Sequence, residues 1–315
     1  MVKRIQYHEY GGPEVMRLED FEPGRPGSGE VLVRVRAAAA NPYDWKVRNG
    51  EMKIMTGRKF PRGLGYDFAG VVEAVGPGVG RLSVGDEVLG AAQIKASGAF
   101  AEMVVAVEKG VVKKPAGLSF EQAAAIPTIG STAVQAIVTK GKLQAGQAVF
   151  VHGCLGGVGR AAAQIARAHG AAVVAGSCRA SAMGDARDLG VVPVVEFDSV
   201  PTTLKVLKGK FDIVFDTVGT LAPATARMLC KSGGRIIDIV PTPAKFLKSV
   251  LPGRYTVQIT QMNAKDLEKL ARACAQGTLR LPIAQTVPLS NAIAALTELE
   301  VNNTPKGGKL IITAT

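Results

Sequence analysis

The stretch Ala148-Val-Phe-Val-His-Gly-Cys-Leu-Gly-Gly-Val-Gly159, running on into Arg160-Ala-Ala-Ala-Gln-Ile-Ala-Arg-Ala-His169, decides the fold. An apolar run of strand length meets a glycine-rich turn, and a helix with small residues on its packing face follows, stopped by Gly170. Gly153 can turn the chain sharply, Gly156 lets backbone approach a pyrophosphate, and Gly159 lets the helix pack close to the strand. N–H groups free at the helix start, together with the helix dipole, attract phosphate. A glycine-rich turn by itself also serves as a tight strand–helix connection. Here the strand, the turn, the helix and a second strand about 20 residues on all fall where a dinucleotide fold needs them. Gly153, Gly156, Gly157, Val158 and Gly159 are therefore the candidate phosphate-binding positions. No Gly-Lys-Ser/Thr follows, which excludes a P-loop.

The pattern continues towards the C-terminus. Apolar runs at 172–176, 193–197, 212–216, 235–240 and 255–261 alternate with helical stretches, and 266–275 is helical after the last. Six strands with crossover helices predict a parallel, doubly wound sheet, an α/β fold. Towards the N-terminus the texture is different. Segments 31–36, 70–76, 85–90 and 99–106 read as short strands punctuated by glycine, as in a curled β-barrel. A helix start is expected at Ser119, with an acid two residues on, and another helix over 131–140. The tail 281–315 reads as a short helix and a closing strand, Lys309-Leu-Ile-Ile-Thr313. The expected organisation is one domain from 1–125 with 281–315, and a nucleotide domain over 126–280.

Composition excludes several classes. Of 315 residues, 47% are hydrophobic and 20% charged, the balance of a globular protein. The net charge of +12 invites a nucleic-acid reading. The basic residues are scattered, however, and the one local cluster (Lys53, Arg58, Lys59 and Arg62) has no interleaved base-stacking aromatics, so no nucleic-acid partner is expected. Such a field also helps recruit a phosphate-rich cofactor. Cys154, Cys178, Cys230 and Cys274 are widely separated, without any CxxC pair, and predict neither a metal lobe nor a disulfide scaffold. No segment approaches the roughly 20 apolar residues needed to cross a bilayer, and the first residues lack a signal-peptide run. A reducing, cytoplasmic setting and no membrane partner are the expectation.

The end of the second strand of the doubly wound sheet reports on the dinucleotide. Sites selective for NAD place Asp or Glu there, on the ribose hydroxyls. This chain reads Gly176-Ser-Cys-Arg-Ala-Ser181, and the first acid afterwards is Asp185. Ser177 and Arg179 can donate hydrogen bonds to a 2′-phosphate, which points to NADPH, unless Arg179 is merely a solvated loop residue.

These residues, together with Asn41-Pro-Tyr-Asp-Trp-Lys46, Gly65-Tyr-Asp-Phe-Ala-Gly70, Val84-Gly-Asp-Glu-Val88, Ile126-Pro-Thr-Ile-Gly-Ser-Thr132, Phe215-Asp-Thr-Val-Gly219 and Gly308-Lys309, resemble one family across nearly the whole chain. It is the zinc-independent quinone oxidoreductase branch of the medium-chain dehydrogenase/reductase superfamily, near the enone and alkenal reductases. The resemblance implies a GroES-like (chaperonin-10-like) β-barrel catalytic domain, completed by the C-terminal segment, and a Rossmann domain with the cofactor in the cleft between them. It implies a homodimer paired through the last strand of the nucleotide sheet, here 255–261. Zinc-dependent relatives carry an early Cys ligand, a Gly-His-Glu motif and a four-cysteine lobe. This chain has Asn41-Pro-Tyr-Asp44 and Gly65-Tyr66-Asp67 at the first two places and no lobe, so no metal is expected.

The resemblance also supplies candidate catalytic residues. Asn41 matches the residue near the nicotinamide ribose, or else caps a turn before Pro42. Lys46 either stabilises the enolate or hydroquinone anion formed as hydride arrives, or pairs with Asp44 or Asp67. Tyr43 and Tyr66 are alternative hydroxyl donors or packed aromatics, and Asp67 is most simply a structural acceptor. Thr132 matches the threonine beneath the nicotinamide and is also read as a helix cap or first-turn residue. Thr217, Val218 and Gly219 are expected beside the cofactor ribose, and Val240 to Thr242 beside the carboxamide. Cys154, Cys178 and His152 read as structural.

The implied reaction is hydride transfer from NADPH to a small quinone or an α,β-unsaturated carbonyl compound. Rival readings are an enoyl-thioester reductase, an alcohol dehydrogenase, which the missing zinc ligands oppose, and an NADPH-binding sensor or structural protein without turnover. The acceptor pocket is expected from the loops at 50–62 and 242–254.

Overall fold

The computed structural model describes residues 1–93, 98–250 and 254–314. Residues 251–253 of the expected acceptor loop lie outside the described residues. Chain contacts divide the molecule into one unit of Met1–Thr128, Met262–Gly277 and Leu281–Thr315, and a second of Ile129–Gln261 with Thr278–Arg280. The helix Ala264–Ala275, which falls before the expected boundary at 281, groups with the first unit because it packs against the strand Val111–Lys113.

The second unit is a parallel sheet of six strands. Their spatial order is Val194–Glu196, Val173–Cys178, Ala148–His152, Phe211–Asp216, Cys230–Asp238 and Tyr255–Val257, or 3-2-1-4-5-6 in chain order. This is the Rossmann arrangement. Its central strands are buried on both faces, so they read as continuous apolar runs rather than alternating ones. Phe150, Phe211, Val214, Leu229 and Ile236 form part of one apolar cluster. The last strand is shorter than its apolar run: beyond Val257, Gln258 and Gln261 turn aside to hydrogen-bond Gln135.

The first unit is built on a seven-stranded mixed sheet whose longest members are Glu30–Ala39 and Asp67–Val75, paired antiparallel. The closing strand Lys309–Thr313 pairs with the end of Glu30–Ala39, which fixes the C-terminal tail in this unit. A three-stranded sheet of Val2–Tyr7, Arg17–Phe21 and Arg62–Gly63 is bonded to it through the expected strand at 99–106. The strand of the large sheet starts only at Met103 and runs one residue past that stretch, as Met103–Val107; Phe100 instead makes backbone bonds with Ile5 and Leu64. The core between the sheets includes Ile5, Tyr7, Val33, Phe68, Val88 and Phe100.

Two helix starts refine the sequence reading. Ser119 caps Phe120–Ala124 reciprocally with Gln122, so the amide three residues on completes the cap, not the acid at 121. The helix expected over 131–140 begins at Pro127, a residue suited to a first helical position, and continues beyond Val134 as a π-helical turn, Gln135–Lys140. Thr132 therefore lies inside the helix rather than at its cap.

Candidate functional site

In the second unit the glycine turn is built as sequence and sterics require. Gly153 has φ +81°, a conformation L side chains rarely adopt. A Cβ on Gly159 would stand 2.0 Å from the Gly153 carbonyl oxygen, so only glycine lets the helix Gly157–Ala168 start this close to the strand end. Gly156 is its N-cap, with extended backbone, and both Gly156 and Gly157 are exposed. Helix geometry leaves the N–H groups of Gly157, Val158 and Gly159 without in-helix carbonyls. An open, glycine-lined helix N-terminus at the end of the central strand fits a dinucleotide pyrophosphate.

The neighbouring strand ends are tied together by the protein itself. The Asp216 carboxylate accepts the N–H groups of Val218, Gly219 and Leu221 at 3.0, 2.7 and 2.9 Å. Thr217 Oγ1 donates to the His152 carbonyl at 2.7 Å. Gly219 is glycine because its φ is +86° and a Cβ would strike Val240. Asp238 accepts from Val240 N–H, from Tyr255 and from Lys245, whose ammonium also holds the Gly219 carbonyl at 2.7 Å. Thr242 Oγ1 accepts from Lys245 N–H, at the start of the helix Pro243–Val250. These contacts set the shape of the 217–221 and 240–242 turns, and they occupy the N–H groups of Val218, Gly219 and Val240.

Ser177 and Arg179 part company. The Ser177 side chain is fully buried and bonded to His152 Nδ1 at 2.6 Å, so it does not present a donor at the surface. His152 in turn meets Thr220 through Nε2 at 3.0 Å, and burial lowers its pKa. Arg179 is exposed and lines a groove of about 440 Å³ with Ala180, Glu196, Phe197, Asp198, Val218 and Thr220. Glu196 and Asp198 escaped sequence reasoning because they come from the end of the third strand and the turn after it, outside the glycine motif. Thr132, 5% exposed, hydrogen-bonds Thr260 at 2.8 Å, next to the Gln135–Gln258–Gln261 cluster.

In the first unit Asn41 is the hub of a buried polar network. Its backbone N–H donates to Asp44 at 2.7 Å, and its side-chain amide donates to Asp67 at 3.0 Å and to the Ala39 carbonyl at 3.2 Å. Its Oδ1 accepts from Lys309 Nζ at 2.7 Å. Asp67 also accepts from the Thr128 hydroxyl and backbone N–H, at 2.6 and 3.0 Å. Burial raises the pKa of both carboxyls, that of Asp44 to about 8, with the Asp67 charge adding to it. Burial lowers that of Lys309, and the two carboxylates oppose the shift. The cation among these aspartates is Lys309 and not Lys46, because the closing strand delivers Lys309 beside Ala40. Lys46 forms no ion pair among the described residues. The only sequence signal for Lys309 was the Gly308-Lys309 pair of the family pattern.

Tyr43 and Tyr66 pack together with ring centres 5.3 Å apart, and burial raises both hydroxyl pKa values. The Tyr43 hydroxyl is buried with no hydrogen-bond partner among the described residues. No group of three or more His, Cys, Asp or Glu side chains that could hold a metal occurs among the described residues. None of the described helices is long and apolar enough to cross a membrane.

A Rossmann unit with a glycine cradle, joined in one chain to a β-rich unit, defines a two-unit dehydrogenase or reductase. Residues 27–116 match the alcohol dehydrogenase GroES-like domain, and 189–312 match the zinc-binding dehydrogenase model. The chain is 32% identical to a quinone oxidoreductase of Pseudomonas aeruginosa over 96% of its own length and 98% of the relative's. It is 31% identical to an NADPH-dependent alkenal/one oxidoreductase of Arabidopsis thaliana, covering 99% and 79%. A mycocerosic acid synthase-like polyketide synthase of Mycobacterium tuberculosis is 32% identical over 93% of this chain, which spans 14% of that protein. The solved quinone oxidoreductase of Coxiella burnetii superposes with a TM-score of 0.90 at 29% identity, over 100% and 99% of the two chains. The chain belongs to the quinone oxidoreductase branch of the medium-chain dehydrogenase/reductase superfamily, and it is an oxidoreductase.

Proposed function

We propose that this chain is a zinc-independent NADPH-dependent reductase of small quinones or α,β-unsaturated carbonyl compounds. The observation that carries the reading is the exposed, glycine-lined start of the helix Gly157–Ala168, beside a groove that holds Arg179. The helix N-terminus takes the pyrophosphate, Arg179 takes the 2′-phosphate, and the turns at 217–219 and 240–242 carry the ribose and carboxamide contacts. When bound, NADPH supplies the hydride; the chain supplies position and electrostatics.

Asn41, held rigid by Asp67 and Lys309, orients its segment so that Lys46 stays unpaired. Lys46 stabilises negative charge on the acceptor oxygen, and Tyr66 or Tyr43 is the hydroxyl donor. Thr132 acts beneath the nicotinamide. No zinc-polarised step is part of the proposal, because the zinc-ligand positions carry Asn41-Pro-Tyr-Asp44 and Tyr66-Asp67. A homodimer in a cytoplasmic setting, with neither nucleic acid nor membrane as partner, completes the reading.

A second reading, an enoyl-thioester reductase, is favoured by the polyketide synthase similarity. Consumption of NADPH, with NADH as control, against benzoquinone, phenanthrenequinone, 2-alkenals and a crotonyl thioester tests both. Turnover of quinone or alkenal with NADPH preferred supports the first, and preference for the thioester transfers the conclusion to the second. Binding of NADPH without oxidation of any acceptor sinks both and leaves the sensor.

A further inference from the structure

The basic cluster seen in the sequence divides in the structure. Lys53, Arg58 and Lys59 are exposed, whereas Arg62 is 4% exposed. Arg62 Nη2 donates to the Thr56 carbonyl at 2.6 Å and the Gly57 carbonyl at 3.3 Å. Its Nε and Nη1 are buried with no partner among the described residues, and no carboxylate there pairs with it. A buried guanidinium without a counter-ion is costly, by several kcal/mol in order of magnitude.

Two further buried donors are near. Tyr7 is the cross-strand register partner of Arg62, is fully buried, and its hydroxyl has no partner among the described residues. The Tyr43 hydroxyl is likewise buried without a partner among the described residues, and the Arg62 charge acts on both tyrosines. The surroundings are aromatic: Phe60 stands 5.8 Å from Tyr7 and 5.1 Å from Tyr10 between ring centres, and Arg62 lies 6.0 Å from the Phe60 ring. Tyr10 donates to the Gly57 carbonyl and meets Thr56 Oγ1 at 3.2 Å, so the residues that hold Arg62 Nη2 are themselves held by Tyr10.

We infer that Arg62, Tyr7 and Tyr43 form a receptor for the carboxylate of a flat, unsaturated organic acid. The guanidinium supplies the charge, the hydroxyls complete the donor set, and the aromatic rings accept the planar body. A neutral carbonyl would leave the Arg62 charge uncompensated; a carboxylate neutralises it. The binding claim stands on these residues alone; the claim that such an acid is the acceptor rests on the reductase reading above, with hydride from NADPH adding to its β-carbon, a proton from water adding to its α-carbon, and NADP+ left as the oxidised product.

The test uses the full chain and cinnamate, with methyl cinnamate as its uncharged counterpart, in calorimetric titration. Cinnamate is expected to bind at least about tenfold more tightly than the ester, the size of one charge-assisted contact. Arg62→Met should lose that preference, Arg62→Lys should keep part of it, and Tyr7→Phe should weaken cinnamate a few-fold. Melting curves report whether each variant is folded, and the acid–ester comparison on the unaltered chain decides the matter if the variants are not. Equal affinity for acid and ester, or no binding of either, overturns the receptor, even if uncharged quinones are reduced with NADPH. Tight cinnamate binding in a chain that reduces no acceptor upholds the receptor and overturns the reductase reading instead. If the acid also oxidises NADPH, it is the acceptor; if it binds and only inhibits quinone reduction, the carboxylate is that of a free organic acid at the same site.

Discussion

Asp44 and Asp67 lie with Lys309 in a space closed to water, and the three cannot all be charged at no cost. Burial favours the neutral carboxyl, so Asp44 titrates at about 8 in the fold against about 4 in an unfolded chain. Between those values the folded chain keeps a proton that the unfolded chain has released. Stability therefore falls as pH rises through that window, and Asp67, shifted in the same direction, adds to the slope. Asp44→Asn keeps an acceptor for the Asn41 N–H but cannot titrate. Its melting temperature should fall less than that of the unaltered chain between about pH 5 and about pH 8. Parallel curves would show that Asp44 is ionised throughout. Arg179 gives the second prediction at this scale. Replacing it with Ala should raise the KM for NADPH about tenfold, the size of a lost charge-assisted bond, and leave NADH nearly unchanged. Glu196 and Asp198 share its groove, so their amide variants should move the preference towards NADPH. Equal effects on both cofactors would remove Arg179 from the 2′-phosphate.

Among the elements, the helix Pro42–Arg48 is anchored at its last residue by a buried ion pair. Arg48, 1% exposed, makes a two-oxygen contact with Glu300 at 2.8 and 2.7 Å and also donates to the Gly11 carbonyl at 3.1 Å. That pair fixes the helix carrying Lys46 to the helix Ala292–Asn302. Glu300→Ala would strand a buried guanidinium and should cost about 3 kcal/mol in urea unfolding. A loss below about 0.5 kcal/mol, the level of a surface pair, would show that the contact carries little. Neither partner could be read from sequence, because 252 residues separate them. The six-strand sheet was legible because local signals repeat: an apolar run, a turn and a helix, six times over. The glycine cradle was legible because its steric demands are met within a dozen residues. The polar network around Asn41 was legible at Asn41 and at Asp67, which accepts from Asn41 and Thr128 as a structural acceptor should. Its cation arrives on the closing strand, and a scan along the chain sees Lys46, five residues away, before Lys309. The burial of Ser177 is not visible in its own segment either, because its partner His152 lies on the neighbouring strand.

At the scale of the whole molecule, the open question in the doubly wound sheet is its far edge. Tyr255–Val257 has one neighbour, Cys230–Asp238, and no second strand among the described residues. An unpaired edge is a template for another chain unless something blunts it, and nearby Ile259 is 51% exposed. In a parallel strand alternate N–H groups face the same side. Gln258 N–H donates inward to the Asp238 carbonyl at 2.7 Å, so Val257 N–H faces away from the sheet. We propose that two copies pair through this edge into a homodimer. Proline tolerates an edge position whose N–H points outward, and there it removes a donor from any ladder formed with a second copy. Val257→Pro should therefore sediment at the mass of one chain while the unaltered protein sediments at twice that mass, with unchanged circular dichroism. A dimer that survives Val257→Pro would place the interface elsewhere. A single-chain mass for the unaltered protein at micromolar concentration would end the dimer proposal and leave the short strand, three residues long, as the device that keeps the edge from pairing.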